Sequence, residues 1–180
     1  MIKEEELKYP IGKYKAVKQP DPSLLDTWIN DIESFPSELE ALVSNASAEA
    51  LNWKYRPDGW KVKQVVHHCA DSHLNSISRF KLAMTEDVPT IRPYYEARWA
   101  ELLDSHDDDL SASLAFLKAL HHKWVGLLRG LTKEQLQLEY FHPEHGKRFN
   151  LAETVGSYAW HCRHHLAHVK NGLASFGKYG

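Results

Sequence analysis

Ala159-Trp160-His161-Cys162-Arg163-His164-His165-Leu166-Ala167-His168 carries four of the chain's twelve histidines and reads as part of one continuous helix. Extended in both directions, it shows apolar side chains at Val155, Ala159, Cys162, Leu166, Val169 and Leu173, at alternating spacings of four and three. That is the period of an amphipathic helix with one face turned to a core. At about 100° per residue the stripe stays within roughly ±40° of one direction, with His165 roughly 80° and His161 roughly 120° from its centre. His168 falls near roughly 140° and His164 points almost directly away. His161 and His165, four apart on one face at the edge of the core, are therefore the better pair to hold a divalent metal. His164 and His168 are expected to face outward or to stand behind the ligands.

A helix with such a stripe needs other helices to cover it, and the rest of the chain supplies them. Pro22 opens a helix behind Asp21 as N-cap, with Leu24, Leu25, Trp28, Ile29 and Ile32 as its stripe. Pro36 is expected to end or kink it, with Leu39, Leu42 and Val43 in a second segment. Arg56-Pro57-Asp58-Gly59 marks a turn. A helix follows from about Trp60 to Met84, with Val62, Val65, Val66, Cys69, Ile77, Phe80 and Met84 along its stripe and His73 inside it as a hydrogen-bonded core histidine. A shorter helix carries Tyr94, Trp99, Leu102 and Leu103. Asp107-Asp108-Asp109 then suits a helix N-terminus, and that helix runs through Leu114, Trp124 and Leu128 to stop at Gly130. Residues 131–149 read as an irregular connection, the final helix spans about Asn150 to Gly172, and residues 1–20 read as an extended arm on the body. The expectation is a single all-α domain over residues 1–180, built on an antiparallel four-helix bundle.

A hydrophobic content of 43% and a charged content of 26% belong to an ordinary globular chain, and 180 residues suit one domain rather than two. The formal net charge is −2, with Lys and Arg interspersed among Asp and Glu, which argues against nucleic acid or an anionic membrane as the main partner. Met1-Ile2-Lys3-Glu4-Glu5-Glu6 lacks the apolar run of a signal peptide, and no stretch is apolar enough to span a bilayer. With only Cys69 and Cys162 there is no disulfide scaffold, so the expected compartment is the cytoplasm. Both cysteines lie on apolar stripes and read as small core residues.

A third metal ligand must come from another helix. On the Trp60–Met84 helix, His68 shares a polar strip with Ser72, Asn75 and Arg79, while His67 lies on the opposite shoulder with Leu74; His68 is favoured as the ligand, and Ser72, Asn75 and Arg79 as substrate-binding residues. Three histidines leave the fourth position of a tetrahedral zinc site open, the pattern of a catalytic rather than a structural centre. Other chemistries lack their residues: Cys162-Arg163 after His161 breaks any His-Glu-x-x-His motif, and there is no nucleophile elbow, phosphate loop or dinucleotide fingerprint. His142 and His145 are expected to border a pocket or cap their loop.

Several stretches resemble the YfiT-like branch of the DinB superfamily. They are Tyr55-Arg56-Pro57-Asp58-Gly59-Trp60, Gln64-Val65-Val66-His67-His68-Cys69-Ala70-Asp71-Ser72-His73-Leu74-Asn75, Pro93-Tyr94-Tyr95-Glu96-Ala97-Arg98-Trp99-Ala100-Glu101-Leu102, and Tyr158 to His168. Leu82-Ala83-Met84-Thr85-Glu86-Asp87 and the Tyr9-Pro10-Ile11-Gly12 arm fit as well, so the resemblance covers nearly the whole chain. It implies a four-helix bundle with a three-histidine divalent metal site, zinc or nickel, on His68, His161 and His165, often in a homodimer. It also implies a small-molecule substrate and one of two activities. The first is metal-dependent hydrolysis, with Asp71 or Glu96 available as a base. The second is transfer of a low-molecular-weight thiol such as bacillithiol to an electrophile, with Arg79 placed to hold a carboxylate of the thiol. A reading from another class is a metal-binding stress protein without catalysis.

Overall fold

The computed structural model describes residues 4–180; residues 1–3, where the expected arm and the charged N-terminus begin, lie outside the described residues. The elements are α1 (Glu4–Lys8), α2 (Pro22–Val43), α3 (Ala48–Leu51), α4 (Val62–Thr85), α5 (Glu96–Trp99), α6 (Ser111–Arg129), β1 (Glu139–His142), β2 (Lys147–Asn150) and α7 (Leu151–Leu173). The long helices α2, α4, α6 and α7 form a four-helix bundle in which both α6 and α7 pack against α2 and α4. One apolar cluster fills it, with Ile32, Phe35, Leu39, Val65, Phe80, Leu117, Trp124 and Leu151 fully buried. Cys69 and Cys162 are buried free thiols within that cluster, as their stripes require. No helix among the described residues is long and apolar enough to cross a membrane.

Contacts along the helices fix their directions. His68 meets His161 and Val62 meets Gly172, so α4 and α7 run antiparallel. Glu40 pairs with Lys118 and Glu33 with Arg129, so α2 and α6 do too. In contrast, His67 bonds Ser113 while Phe80 packs on Trp124, and Trp28 meets Gly156 while Asp31 pairs with Arg163. The pairs α4/α6 and α2/α7 are therefore parallel, and the bundle holds two antiparallel and two parallel neighbours. A parallel neighbour needs a connection that runs back along the helix. Residues 86–110 provide it, held to α4 by Gln64 Nε2 donating to the Ala100 carbonyl (2.7 Å) and Lys63 Nζ donating to that of His106 (2.7 Å).

Four local expectations need correction. Of the two roles expected for it, Pro36 does not end α2, which is continuous over Pro22–Val43. The proline removes the N–H that would bond the Ile32 carbonyl, and His121 Nδ1 bonds that carbonyl instead at 2.6 Å, so no buried acceptor is orphaned. The arm is not extended throughout: Glu4, Glu5 and Glu6 at one end and Lys8 at the other complement the dipole of the short α1. Beyond it the chain lies along α7, with Trp160 Nε1 donating to the Gly12 carbonyl (3.0 Å) and Tyr14 Oη to that of Glu153 (2.9 Å). The connection at 131–149 contains an antiparallel hairpin, β1 with β2, turned by Pro143–Gly146 with Gly146 at φ 61°. The helix expected over Tyr94–Leu103 shrinks to α5, followed by a 3-10 turn at Leu103–His106.

Candidate metal centre

The antiparallel contact of α4 with α7 brings His68 against His161 and His165. One ring nitrogen from each of the three lies within 4.8 Å of the others, and the Nε2 atoms of His68 and His161 are 3.3 Å apart. Two nitrogens at about 2.0–2.1 Å from a tetrahedral zinc stand roughly 3.3–3.4 Å apart, so this separation fits a shared ion. Trp60 covers His68 with its ring (centroids 4.7 Å apart), and Tyr158 lies one turn before His161 on the same face. His68 and His165 are buried and His161 is partly open. Burial holds His68 down to about 4 and His161 and His165 well below the usual imidazole range. All three are neutral near pH 7 and offer lone pairs, the form in which imidazole binds a metal.

Further histidines surround this trio. His73, fully buried as expected, places Nε2 3.0 Å from His161 Nδ1 and Nδ1 2.7 Å from His121 Nε2. The outer pair on α7 does not face solvent: His164 is 7% and His168 3% exposed. The arm and the turn after α3 cover them. Tyr9 packs on His164, Tyr55 stacks on His168 (centroids 3.9 Å apart), and His168 Nε2 bonds the Lys8 carbonyl at 3.1 Å. His168 stands behind His165, with their Nδ1 atoms 3.4 Å apart. His164, His165 and His168 also have nitrogens within 4.8 Å of one another. That trio shares His165, comes from one helix alone, and has His168 Nε2 engaged by a carbonyl.

Two cavities, of about 560 and 540 Å³, open on His161 from either side of Glu96-Ala97. Arg79, Ser72, Tyr94 and His142 line the first, with His145 at its rim; Tyr9, Tyr55 and Trp60 line the second. Arg79 has no ion pair among the described residues and is, with Arg98, one of two arginines lining the first cavity. In the same wall, Tyr94 Oη and His142 Nδ1 are buried without a hydrogen-bond partner. Ser72 Oγ is 3.4 Å from His161 Nε2. Asn75 lines neither cavity: it is half-buried, and its amide donates to the Asp71 carbonyl on its own helix. Of the two carboxylates considered as bases, Glu96 borders both cavities. Asp71 faces a separate pocket with His67 and Asp104, where burial first and Asp104 second raise it to about 6. His142 and His145 border a pocket, one of the two roles expected for them, whereas Tyr94, Tyr158 and Trp60 were not marked as site residues by sequence pattern. Tyr158 alone carried a usable signal, sitting three residues before His161.

Comparison with known proteins finds relatives over nearly the whole chain. The model of the DinB superfamily matches residues 31–169. A Bacillus cereus protein named as a candidate metal-dependent hydrolase is 47% identical over 164 residues, which is 91% of this chain and 94% of that one. The Bacillus subtilis YfiT protein, named likewise, is 45% identical over 163 residues, 91% of this chain and 92% of its own length. The solved structure of YfiT superposes with a TM-score of 0.91 at 43% identity, covering 97% of this chain and 99% of that chain. It is described as a candidate metal-dependent hydrolase with an unusual four-helix bundle topology.

Proposed function

This chain belongs to the DinB superfamily, and we propose that it is a metal-dependent hydrolase of small molecules in which His68, His161 and His165 hold a divalent zinc or nickel ion. The observation that carries this reading is the convergence of three neutral imidazoles from two helices where two cavities meet. When bound, the ion lowers the pKa of water and polarises a substrate oxygen. The chain's own residues do the rest. Trp60 and Tyr55 give the second cavity apolar walls that exclude bulk water. Ser72 Oγ and Glu96 stand at the His161 edge, where Glu96 accepts a proton from the attacking water. Arg79 binds an anionic group of the substrate in the first cavity.

Arg79 also favours a second reading, a thiol S-transferase. A guanidinium without an ion pair, in a cavity that reaches the proposed metal site, suits the carboxylate of a bacillithiol-like co-substrate whose sulfur a bound ion would hold as thiolate. Metal analysis of the purified protein is expected to show one zinc or nickel per chain, lost in His161→Ala and His165→Ala; full metal content in both variants would overturn the site. The holo-protein incubated with low-molecular-weight thiols and a chlorinated aromatic separates the activities. A conjugate selects transfer, whereas cleavage of ester or amide substrates without thiol selects hydrolysis.

A further inference from the structure

Two chains of buried histidines run from the proposed ligands to backbone carbonyls, and with each buried ring neutral their hydrogen bonds read in one direction. The first begins in α2, where Pro36 leaves the Ile32 carbonyl without its helical donor. A carbonyl only accepts, so His121 Nδ1 (2.6 Å away) carries a hydrogen. Burial keeps His121 neutral, so its Nε2 is bare and accepts from His73 Nδ1 at 2.7 Å. His73 Nε2 is then bare in turn and accepts from His161 Nδ1 at 3.0 Å. This leaves His161 Nε2 as a lone pair, and that is the atom facing His68 Nε2.

The second chain begins at the Lys8 carbonyl, one of those left unpaired at the C-terminal end of α1. His168 Nε2 donates to it at 3.1 Å, so His168 Nδ1 is bare and faces His165 Nδ1 at 3.4 Å. His165 must then donate from Nδ1, which frees its Nε2. The two chains differ in sequence, length and anchor, and both leave the ligand with hydrogen on Nδ1 and a lone pair on Nε2.

We infer that His73, His121 and His168 are positioning residues that hold His161 and His165 in the Nδ1–H tautomer, with the Ile32 carbonyl freed by Pro36 and the Lys8 carbonyl of the arm as the fixed ends. A metal-binding imidazole commonly gives its second N–H to a carboxylate or a carbonyl. Here neutral imidazoles stand in that place, so no negative charge backs these two ligands and the full dipositive charge of an ion acts on the open position. The inference rests on the metal-site reading for its purpose and on the hydrogen bonds of neutral buried rings for its content, so the two can fail separately.

The test is long-range proton–nitrogen correlation NMR of the metal-free protein labelled with ¹⁵N-histidine. Hydrogen is expected on Nδ1 of His121, His73, His161 and His165, and on Nε2 of His168. Hydrogen on Nε2 of His161 or His165 would overturn the proposal whether or not the protein binds metal. In His73→Leu the acceptor for His161 is lost, its Nε2–H form should appear, and zinc affinity by competition with a chromogenic chelator should fall about 10-fold or more. His73→Gln, whose amide oxygen can still accept, should recover most of that loss. Unchanged zinc affinity in a folded His73→Leu would refute the role. Pro36→Ala guards against a His73 variant that does not fold: the restored N–H competes for the Ile32 carbonyl, and the His161 tautomer should become mixed. A His161 tautomer unmoved by Pro36→Ala would refute that anchor.

Discussion

Gly156 lies in α7 where the Trp28 ring and the Tyr14 hydroxyl close on the helix. A Cβ there would stand 2.7 Å from Trp28 Cη2 and 2.9 Å from Tyr14 Oη. Alanine favours a helix over glycine by about 1 kcal/mol, but overpacking a close contact costs about 1–3 kcal/mol. Gly156→Ala is therefore expected to destabilise the protein by up to about 2 kcal/mol and lower its Tm; an unchanged or raised Tm would show that Trp28 has room to turn. The histidines show how far single residues could be read from the chain alone. His161 and His165 stood out because the apolar stripe gave the helix an orientation. His164 and His168 lie on the far side of that stripe, and what buries them is Tyr9, Lys8 and Tyr55. Residues so distant in sequence leave no mark on the period of a helix.

α7 begins where Asn150 Oδ1 accepts from the Glu153 N–H at 2.7 Å, and the same amide donates to the Lys18 carbonyl (3.1 Å) and to Gln137 Oε1 (3.2 Å). One side chain thus caps the helix and ties down the arm and the turn before β1. Asn150→Ala should cost about 1–2 kcal/mol, more than a typical exposed cap, read as a lower urea midpoint with an unaltered m-value. The long helices were legible because a periodic stripe repeats over many turns. The hairpin was not: its strands have four residues each, and only Tyr140 and His142 alternate inward on β1. Pro36 misled for a different reason. Proline reports a missing donor, and whether a helix survives depends on who else reaches the freed carbonyl, here a histidine from α6.

The buried histidines give the molecule as a whole a sign in its pH response. His121 is held at about 4 by burial, against an ordinary value near 6.5, and burial also lowers His68 and His164 to about 4 and His168 to about 3. Between about pH 6.5 and 4 the unfolded chain takes up protons that the folded one refuses, so stability falls as pH falls through this window, by about 1.4 kcal/mol per unit for each such group. Melting at pH 7.5 and pH 5 should show a clear drop in Tm at the lower pH, and a flat profile would mean that these rings are already charged in the fold. In the other direction, zinc or nickel at about a hundred times its Kd should stabilise the folded state by about 2.7 kcal/mol, and His161→Ala should abolish the gain in Tm. Helix count and a histidine pair were visible in the chain; helix directions were not. Amphipathic stripes are indifferent to polarity, which the stretch bonded back along α4 decides.

The pairing of α4 with α7 also sets a clock. His68 and His161 are 93 positions apart. At about 5–20 residues per second, roughly five to twenty seconds of synthesis separate them. During that interval a nascent chain presents His68 with no partner on α7, as an isolated imidazole that cannot compete with other cellular ligands for zinc or nickel. If His68, His161 and His165 hold an ion as proposed, it would be loaded after translation has passed α7, and the free metal at that moment, not during earlier synthesis, would decide which ion is taken.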